Sequence, residues 1–429
     1  MHKSIVINRV PRVEGHGGIT VNMKDGKVSQ VNMDIYEGPR FFESLVVGKT
    51  YDQVTPILMR ICAICSAVHT VTSLMAVENA LGIKVSHQTR LLRDLLIQGG
   101  NIESHALHVF CLALPDFLNY PSVVDMARDH AQEVCTGLEI KKLGNTIQEV
   151  IGGRAVHPVN AVIGGFGKLP APEELLRLKE QLTKGLEQSW AAVELIAQLE
   201  IPDFCISPNI YAALLPNGSG FSLLGEEIIL STGEKRNIRQ YQQICQEKVV
   251  PHSHAKQSWC NDKPFMVGAL ARVALNGDKL VGEAKKARDK LGLNSPSKNI
   301  LENNVAQALE LIYSMERSLE IIDELLDTGI KPEPSAPVKI RAGSGVGAAE
   351  APRGTLYHSY SFDEEGRLTK ADVITPTAQN LANIEKDLRQ AVENLMDEPT
   401  ESLKRKLEMV VRAYDPCISC SVHLLELKR

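Results

Sequence analysis

The chain has no stretch approaching the roughly 20 uninterrupted apolar residues of a membrane span, so no segment reads as one that crosses a bilayer. It also lacks an excess of positive charge. The formal net charge is -5, which gives no basic surface of the kind nucleic-acid binding requires. The start, Met1-His2-Lys3-Ser4-Ile5-Val6-Ile7, contains no long apolar signal region. Internal repeats and low-complexity tracts are absent as well. Nine cysteines is an odd count in a chain of 429 residues, which speaks against a secreted disulfide framework. Cys111, Cys135, Cys205, Cys245 and Cys260 stand alone and read as buried apolar thiols. What remains is ordinary for a soluble protein: 44% hydrophobic and 23% charged residues, on a length that supports a sizeable core.

Residues 3–36 alternate apolar and polar around Lys24-Asp25-Gly26-Lys27, which predicts a small β-meander. From residue 63 onward helical periodicity takes over. Val305, Leu309, Ile312, Leu319, Ile322 and Leu326 share one face. Pro172 with Glu173 and Glu174 opens another helix, expected to bury Leu175, Leu178, Leu182, Leu186 and Trp190. Two further long helices are expected over about 88–116 and 122–148. A short β excursion is expected near 219–240, between interrupting glycines, and 331–337 reads as a proline-rich surface linker. The expected fold class is mainly α with small β elements at its edges (α+β), built around a long central helix bundle. The organisation is one large unit: a meander over 1–50, a helical body over 51–330, a C-terminal part over 331–423, and a tail over 424–429.

Two motifs at opposite ends stand out, Arg60-Ile61-Cys62-Ala63-Ile64-Cys65-Ser66-Ala67-Val68-His69 and Asp415-Pro416-Cys417-Ile418-Ser419-Cys420-Ser421-Val422-His423. Two such pairs can close four thiolates around one metal ion. A structural zinc site is the simplest reading. Zinc pairs are usually joined by a short loop, however, whereas nearly the whole chain separates these. That spacing favours a cofactor assembled inside a large protein. Four soft ligands suit nickel, zinc or iron.

These motifs resemble the large, catalytic subunit of nickel–iron hydrogenases, which carries R-x-C-G-x-C-x-x-x-H near its start and D-P-C-x-x-C-x-x-H at its end. Arg12-Val13-Glu14-Gly15-His16 is similar to the family's R-[IV]-E-G-H. Gly152-Gly153-Arg154-Ala155-Val156-His157-Pro158, Glu350-Ala351-Pro352-Arg353-Gly354 and Thr375-Pro376-Thr377 follow in family order. The resemblance runs from about residue 8 to residue 423 and is nearest the cytoplasmic sulfhydrogenase type, the α subunit of NAD(P)-linked heterotetramers. Ala63 stands where glycine is usual.

The resemblance implies nickel on Cys62, Cys65, Cys417 and Cys420. Cys65 and Cys420 would bridge to an iron carrying two cyanides and one carbon monoxide, with Cys62 and Cys417 terminal. Dihydrogen would be split heterolytically there, the Cys417 thiolate being a natural first proton acceptor. Glu14 is the candidate relay, because burial beside a thiolate raises a carboxyl toward the range where it can pass protons on. Its plainer role is an ion pair with Arg12. Arg353 would lie over the open metal position and act electrostatically, since a guanidinium stays charged. Pro352 would shape the apolar wall, Thr377 would donate to a cyanide, and His69 would support a cysteine sulfur through a hydrogen bond. His105 and His108, one turn apart, read as polar core residues. Ser104 replaces an aspartate of the membrane-linked branch and is given no catalytic role. Glu43, His423 and the Val373 carbonyl would hold a magnesium or ferrous ion. The competing role for Glu43 is an exposed turn cap.

No cysteine pattern for an iron–sulfur cluster remains in the chain. The implied partners are therefore a small subunit with such a cluster, a flavin subunit using NAD(P)H, and another iron–sulfur subunit, all cytoplasmic. Any sulfur or polysulfide reduction would occur on those partners. Residues 424–429 are expected to be removed after His423 by a maturation endopeptidase, since Glu426, Lys428 and Arg429 are expensive to bury unpaired. Competing readings are a non-enzymatic four-cysteine zinc scaffold and a hydrogen sensor sharing the same site. A quinone-site subunit of the same ancestry would lack the four cysteines.

Overall fold

The computed structural model describes residues 2–333 and 338–422. The N-terminal run forms the expected meander. Strands His2–Ile7, Gly17–Lys24 and Lys27–Ile35 pair antiparallel in that order. Asp25 and Gly26 turn the second strand into the third with positive φ, a conformation those two residue types tolerate. Ile5, Ile7, Ile19, Val21, Met33 and Ile35 are buried, as period-two alternation requires of a one-sided sheet.

Among the described residues, long helices make the body, Ser66–Leu81, His87–Ala106, Ala131–Gly152, Pro172–Ile196 and Asn303–Thr328, with Pro376–Asn394 following the last sheet. Of the expected apolar stripe, Val305, Leu309, Ile312 and Ile322 are buried, while Leu319 and Leu326 pack half-buried at its rim. Leu175, Leu178 and Leu182 are likewise buried, with Leu186 and Trp190 half-buried.

Two helix expectations are corrected. The helix over 88–116 is not continuous: after Ala106 it widens into a π-helical stretch, Leu107–Ala113, before Leu114–Phe117. Pro115 has no amide hydrogen to continue the regular ladder there. The second long helix begins at Ala131 rather than 122, after a separate single turn, Val123–Met126. Met126 anchors that first turn in the core while Val124 faces solvent, and the chain breaks at 127–130 before the long helix begins.

The β excursion is present but starts earlier, as Ala212–Pro216, Gly225–Leu230 and Lys235–Asn237. A larger departure is a further three-stranded meander, Gly343–Ala351, Gly354–Phe362 and Leu368–Ile374. It is an interior element, not an edge one. Gly343, Gly345 and Gly347 lie at alternate positions of the first strand, and a Cβ on any of them would collide with backbone of the helix Ser66–Leu81. Strand and helix therefore pack backbone to backbone.

Cys65 caps the start of that helix, as expected. The second pair follows the helix Thr400–Ala413, but Cys420 lies within one helical turn, Ile418–Ser421, rather than in an open loop. Of the linker, residues 334–337 lie outside the described residues. Glu333 accepts from the Ser86 hydroxyl at 2.6 Å. His423 and the tail over 424–429 also lie outside them. No helix among the described residues is long and apolar enough to cross a membrane.

Candidate metal centre

The two cysteine pairs meet in the core. Cys62 leaves a short 3-10 turn, Met59–Ile61, in extended geometry, and Cys65 sits at the helix N-terminus with its amide 3.1 Å from Cys62 Sγ. Unpaired helical amides and the dipole there favour negative charge on sulfur. The far pair arrives through Asp415, held at φ 49°. All four sulfurs are buried and lie within 4.8 Å of one another. Cys62 Sγ is 3.6 Å from Cys417 Sγ, and Cys65 Sγ is 3.7 Å from Cys420 Sγ. Burial first, then the neighbouring Cys417 sulfur, raises the thiols of Cys65 and Cys420 well above the usual range. A cation is what would hold these groups as thiolates.

A small, mostly apolar cavity adjoins the sulfurs, lined by Cys65, His69, Ala351, Arg353, Leu356, Pro376, Thr377, Cys417 and Cys420. Pro352 is not among its walls. The proline's carbonyl instead accepts from Arg272.

Arg353 is fully buried within this arrangement. Its Nε donates to the Asp415 carbonyl at 2.6 Å, and its Nη2 to Asp415 Oδ1 at 3.0 Å. Nη1 has no hydrogen-bond partner among the described residues. Burial opposes its charge, yet Asp415 and then the site sulfurs outweigh that and hold the guanidinium firmly protonated. Thr377 Oγ1 accepts from the Cys417 amide at 3.0 Å. His69 Nδ1 lies 3.0 Å from His358 Nε2, whose ring in turn reaches Tyr360.

Glu14 does not pair with Arg12, which binds Asp116 and the Leu112 carbonyl. Its carboxylate instead accepts from the Ser419 amide at 3.0 Å and from the Ser419 hydroxyl, and its Oε2 lies 3.1 Å from Cys417 Sγ. Burial, then Cys417, pushes the Glu14 carboxyl up to about 7. Glu43 is buried on the short helix Phe42–Val46, not an exposed cap, and its Oε1 accepts from the Val373 amide at 2.7 Å. The two residues therefore meet, through the Val373 N–H. His423, the third expected ligand there, lies outside the described residues.

Sequence reasoning passed over Asp415, Ser419 and His358. Asp415 was legible: it stands inside the Asp-Pro-Cys motif, and a buried arginine needs a counter-ion. Nothing in the pattern marks Ser419 or His358.

Four convergent buried sulfurs from the two ends of one chain, beside a small cavity lined by Arg353, form a donor set able to hold a metal ion. The donor set fits a soft, thiophilic metal. A family model described as nickel-dependent hydrogenase matches residues 40–138 and 226–423, and one described as HoxL-like matches residues 4–37. The chain is 41% identical to sulfhydrogenase 1 subunit alpha of Pyrococcus furiosus over 428 residues, covering 100% of this chain and 99% of that one. It is 39% identical to sulfhydrogenase 2 subunit alpha of the same organism over 424 residues, covering 99% and 100%. A crystal structure of an NAD+-reducing nickel–iron hydrogenase in the H2-reduced state is similar with a TM-score of 0.88 at 26% identity, covering 98% of this chain and 99% of that one. The chain belongs to the nickel-dependent hydrogenase family, as the catalytic large subunit of a nickel–iron enzyme.

Proposed function

We propose that this chain is the H2-activating subunit of a cytoplasmic hetero-oligomer that exchanges electrons with NAD(P). The observation that carries the reading is the four-sulfur cluster opening onto a cavity that Arg353 enters. When bound, the nickel–iron group, with two cyanides and one carbon monoxide on iron, supplies heterolytic cleavage of H2. Cys62, Cys65, Cys417 and Cys420 would hold the group through their sulfurs, and Cys65, Cys417 and Cys420 line the adjoining cavity.

The protein's part is then positioning and proton movement. Arg353 holds a fixed positive charge in a dry site, where an electrostatic contact is worth far more than in water. Thr377 fixes the Cys417 backbone through its hydroxyl oxygen, and its hydroxyl hydrogen would be free to donate to a cyanide of the group. Cys417 Sγ takes the first proton and passes it to Glu14 across 3.1 Å. Glu43, the Val373 carbonyl and His423 would hold a magnesium or ferrous ion near the C-terminus, and the approach of Glu43 to Val373 supports this. The chain is buried through Val422, whose carbonyl accepts from the Arg40 amide at 2.7 Å. Removal of residues 424–429 by a maturation endopeptidase suits that burial.

Electrons leave through a small subunit with an iron–sulfur cluster, then a further iron–sulfur subunit and a flavin subunit. The names of the Pyrococcus relatives, each a subunit alpha, and of the NAD+-reducing structure support a multi-subunit enzyme linked to NAD+. Reduction of sulfur or polysulfide, where it occurs, belongs to those partners. Elemental analysis with infrared spectroscopy tests the centre: nickel with cyanide and carbonyl bands is expected, and zinc without them means a scaffold. Turnover of H2 with NADP+ by the purified complex separates a catalyst from a sensor.

A further inference from the structure

Arg353 sits at the tip of a two-residue hairpin. Ala351 pairs with Gly354, leaving Pro352 and Arg353 as the turn. The carbonyls of Ala351 and Pro352 face the protein interior, where an unpaired acceptor is costly. One side chain satisfies both. Arg272, fully buried on the helix Ala269–Asn276, donates from Nη1 to the Ala351 carbonyl at 2.9 Å and from Nη2 to the Pro352 carbonyl at 3.0 Å.

Arg272 is itself fixed from two further sides. Glu310 accepts from its Nε and Nη2, each at 2.6 Å, and Glu350 Oε2 accepts from Nη1 at 2.9 Å. His105 Nε2 lies 2.8 Å from Glu310 Oε2. Burial works to raise Glu310, but Arg272 overrides it and holds that carboxyl at about 2.

A parallel rung lies one helical turn away. Gln307 donates to Asp415 Oδ2 at 3.1 Å, and its Oε1 lies 2.5 Å from His108 Nδ1. Asp415 is the counter-ion of Arg353. The same stretch of the Asn303–Thr328 helix therefore governs both ends of that arginine. Gln307 holds its counter-ion, and Glu310, through Arg272, holds its backbone.

We infer that Arg272, with His105 and Glu310 behind it, is a positioning residue for H2 activation: it clamps the Pro352–Arg353 turn and so sets where the Arg353 guanidinium stands over the metal centre. This rests on the reading of Arg353 given above. A buried five-bond arginine is an expensive way to fill a core, and apolar residues of similar volume commonly fill one at no loss of stability. Lysine keeps the charge but lacks the planar fork, so it cannot serve two carboxylates and two carbonyls together.

The test uses the nickel-loaded hetero-oligomer carrying Arg272→Lys or His105→Gln, each alone and combined with Arg353→Lys. Nickel content, cyanide stretching bands and H2/D2O exchange are measured on each. Arg272→Lys is expected to slow exchange on the order of tenfold to a hundredfold, the scale of a catalytic group displaced by about 1 Å. It should also move the cyanide bands in the same direction as Arg353→Lys, and add nothing in the Arg353→Lys background. A purely structural role leaves the bands in place and gives losses that multiply. That result, or wild-type exchange in nickel-replete Arg272→Lys enzyme, overturns the clamp. Should Arg272→Lys accumulate without nickel, the milder His105→Gln carries the same comparison, with a smaller slowing but the same lack of additivity. A wild-type complex without nickel and cyanide bands overturns the reading of the centre and the clamp with it. Intact wild-type bands with unshifted variants overturn the clamp alone.

Discussion

Glu14 and Cys417 face each other across a parallel β-bridge, and the carboxylate Oε2 of the first lies 3.1 Å from the Sγ of the second. The Ile418 amide donates to the Glu14 carbonyl at 2.9 Å. The N-terminal segment is thus stitched directly to the C-terminal ligand pair, and the carboxylate is aimed by backbone pairing rather than by its own rotamer alone.

Replacing Glu14 with Gln keeps the shape and removes the proton-accepting form. H2/D2O exchange is expected to fall by about a hundredfold to ten-thousandfold, the usual weight of a positioned acid–base group, with nickel content unchanged. The wild-type carboxyl, pushed up to about 7 by burial and then by Cys417, gains its carboxylate form as pH rises through that value. H2 oxidation limited by proton removal should therefore rise with pH through about 7, and the Gln protein should lose that limb. Normal exchange in Glu14→Gln would remove Glu14 from the proton path.

His105 provides a pH test of stability. Burial lowers its ring below the ordinary 6.5, with Glu310 opposing and Arg272 and Asp415 also acting on it. The folded protein thus keeps the ring neutral, its Nε2 hydrogen donated to Glu310, where the unfolded chain takes up a proton. Below about 6.5 the unfolded state binds more protons, so stability contributed by this ring is present above that pH and lost as pH falls. The difference in thermal midpoint between wild type and His105→Gln should shrink between pH 7 and pH 5.5. A constant difference would mean that the ring titrates alike in the folded and unfolded states, and a growing one that the fold holds it charged.

Thr377 is separable into two functions by substitution. Thr377→Ser retains an acceptor for the Cys417 amide, whereas Thr377→Val leaves that buried amide unpaired at a cost of about 1–3 kcal/mol. Valine should lower the unfolding midpoint and the nickel content, and serine should leave both near wild type. Equal behaviour of the two variants in nickel content would show that the hydroxyl does not hold the ligand loop.

Much of the centre was legible because its chemistry is local in sequence. Two cysteines three apart beside a helix start can point the same way, and Glu14 and Arg353 lie next to the sulfurs from within the short Arg12–His16 and Glu350–Gly354 motifs. The meander and the apolar stripes of the 172–196 and 303–328 helices were equally readable from period alone. The misses have a common physical cause. The interior sheet over 343–374 begins with small residues that look like loop, and their meaning appears only when a helix backbone lies against them. Ser419 acts through Glu14 at the other end of the chain, and Arg272 through Glu310, Glu350 and the Pro352 carbonyl on separate elements, which no local pattern reports.

That backbone contact gives the sharpest packing prediction. Gly347 faces the Thr72 carbonyl, and a methyl group there would sit inside contact distance of main chain that cannot swing aside. The helix must then shift away from the sheet. Because Cys65 caps that helix and the sheet carries Arg353 at its first turn, the displacement separates a ligand from the arginine that faces the same cavity. Gly347→Ala should cost about 3 kcal/mol, the upper range for overpacking a well-filled core. Its effect on nickel retention should exceed that of Gly26→Ala, where open space surrounds the missing Cβ and only the turn conformation is strained. Thermal unfolding and nickel content of the two proteins decide it: equal nickel in both would show that the strand can yield without moving the centre.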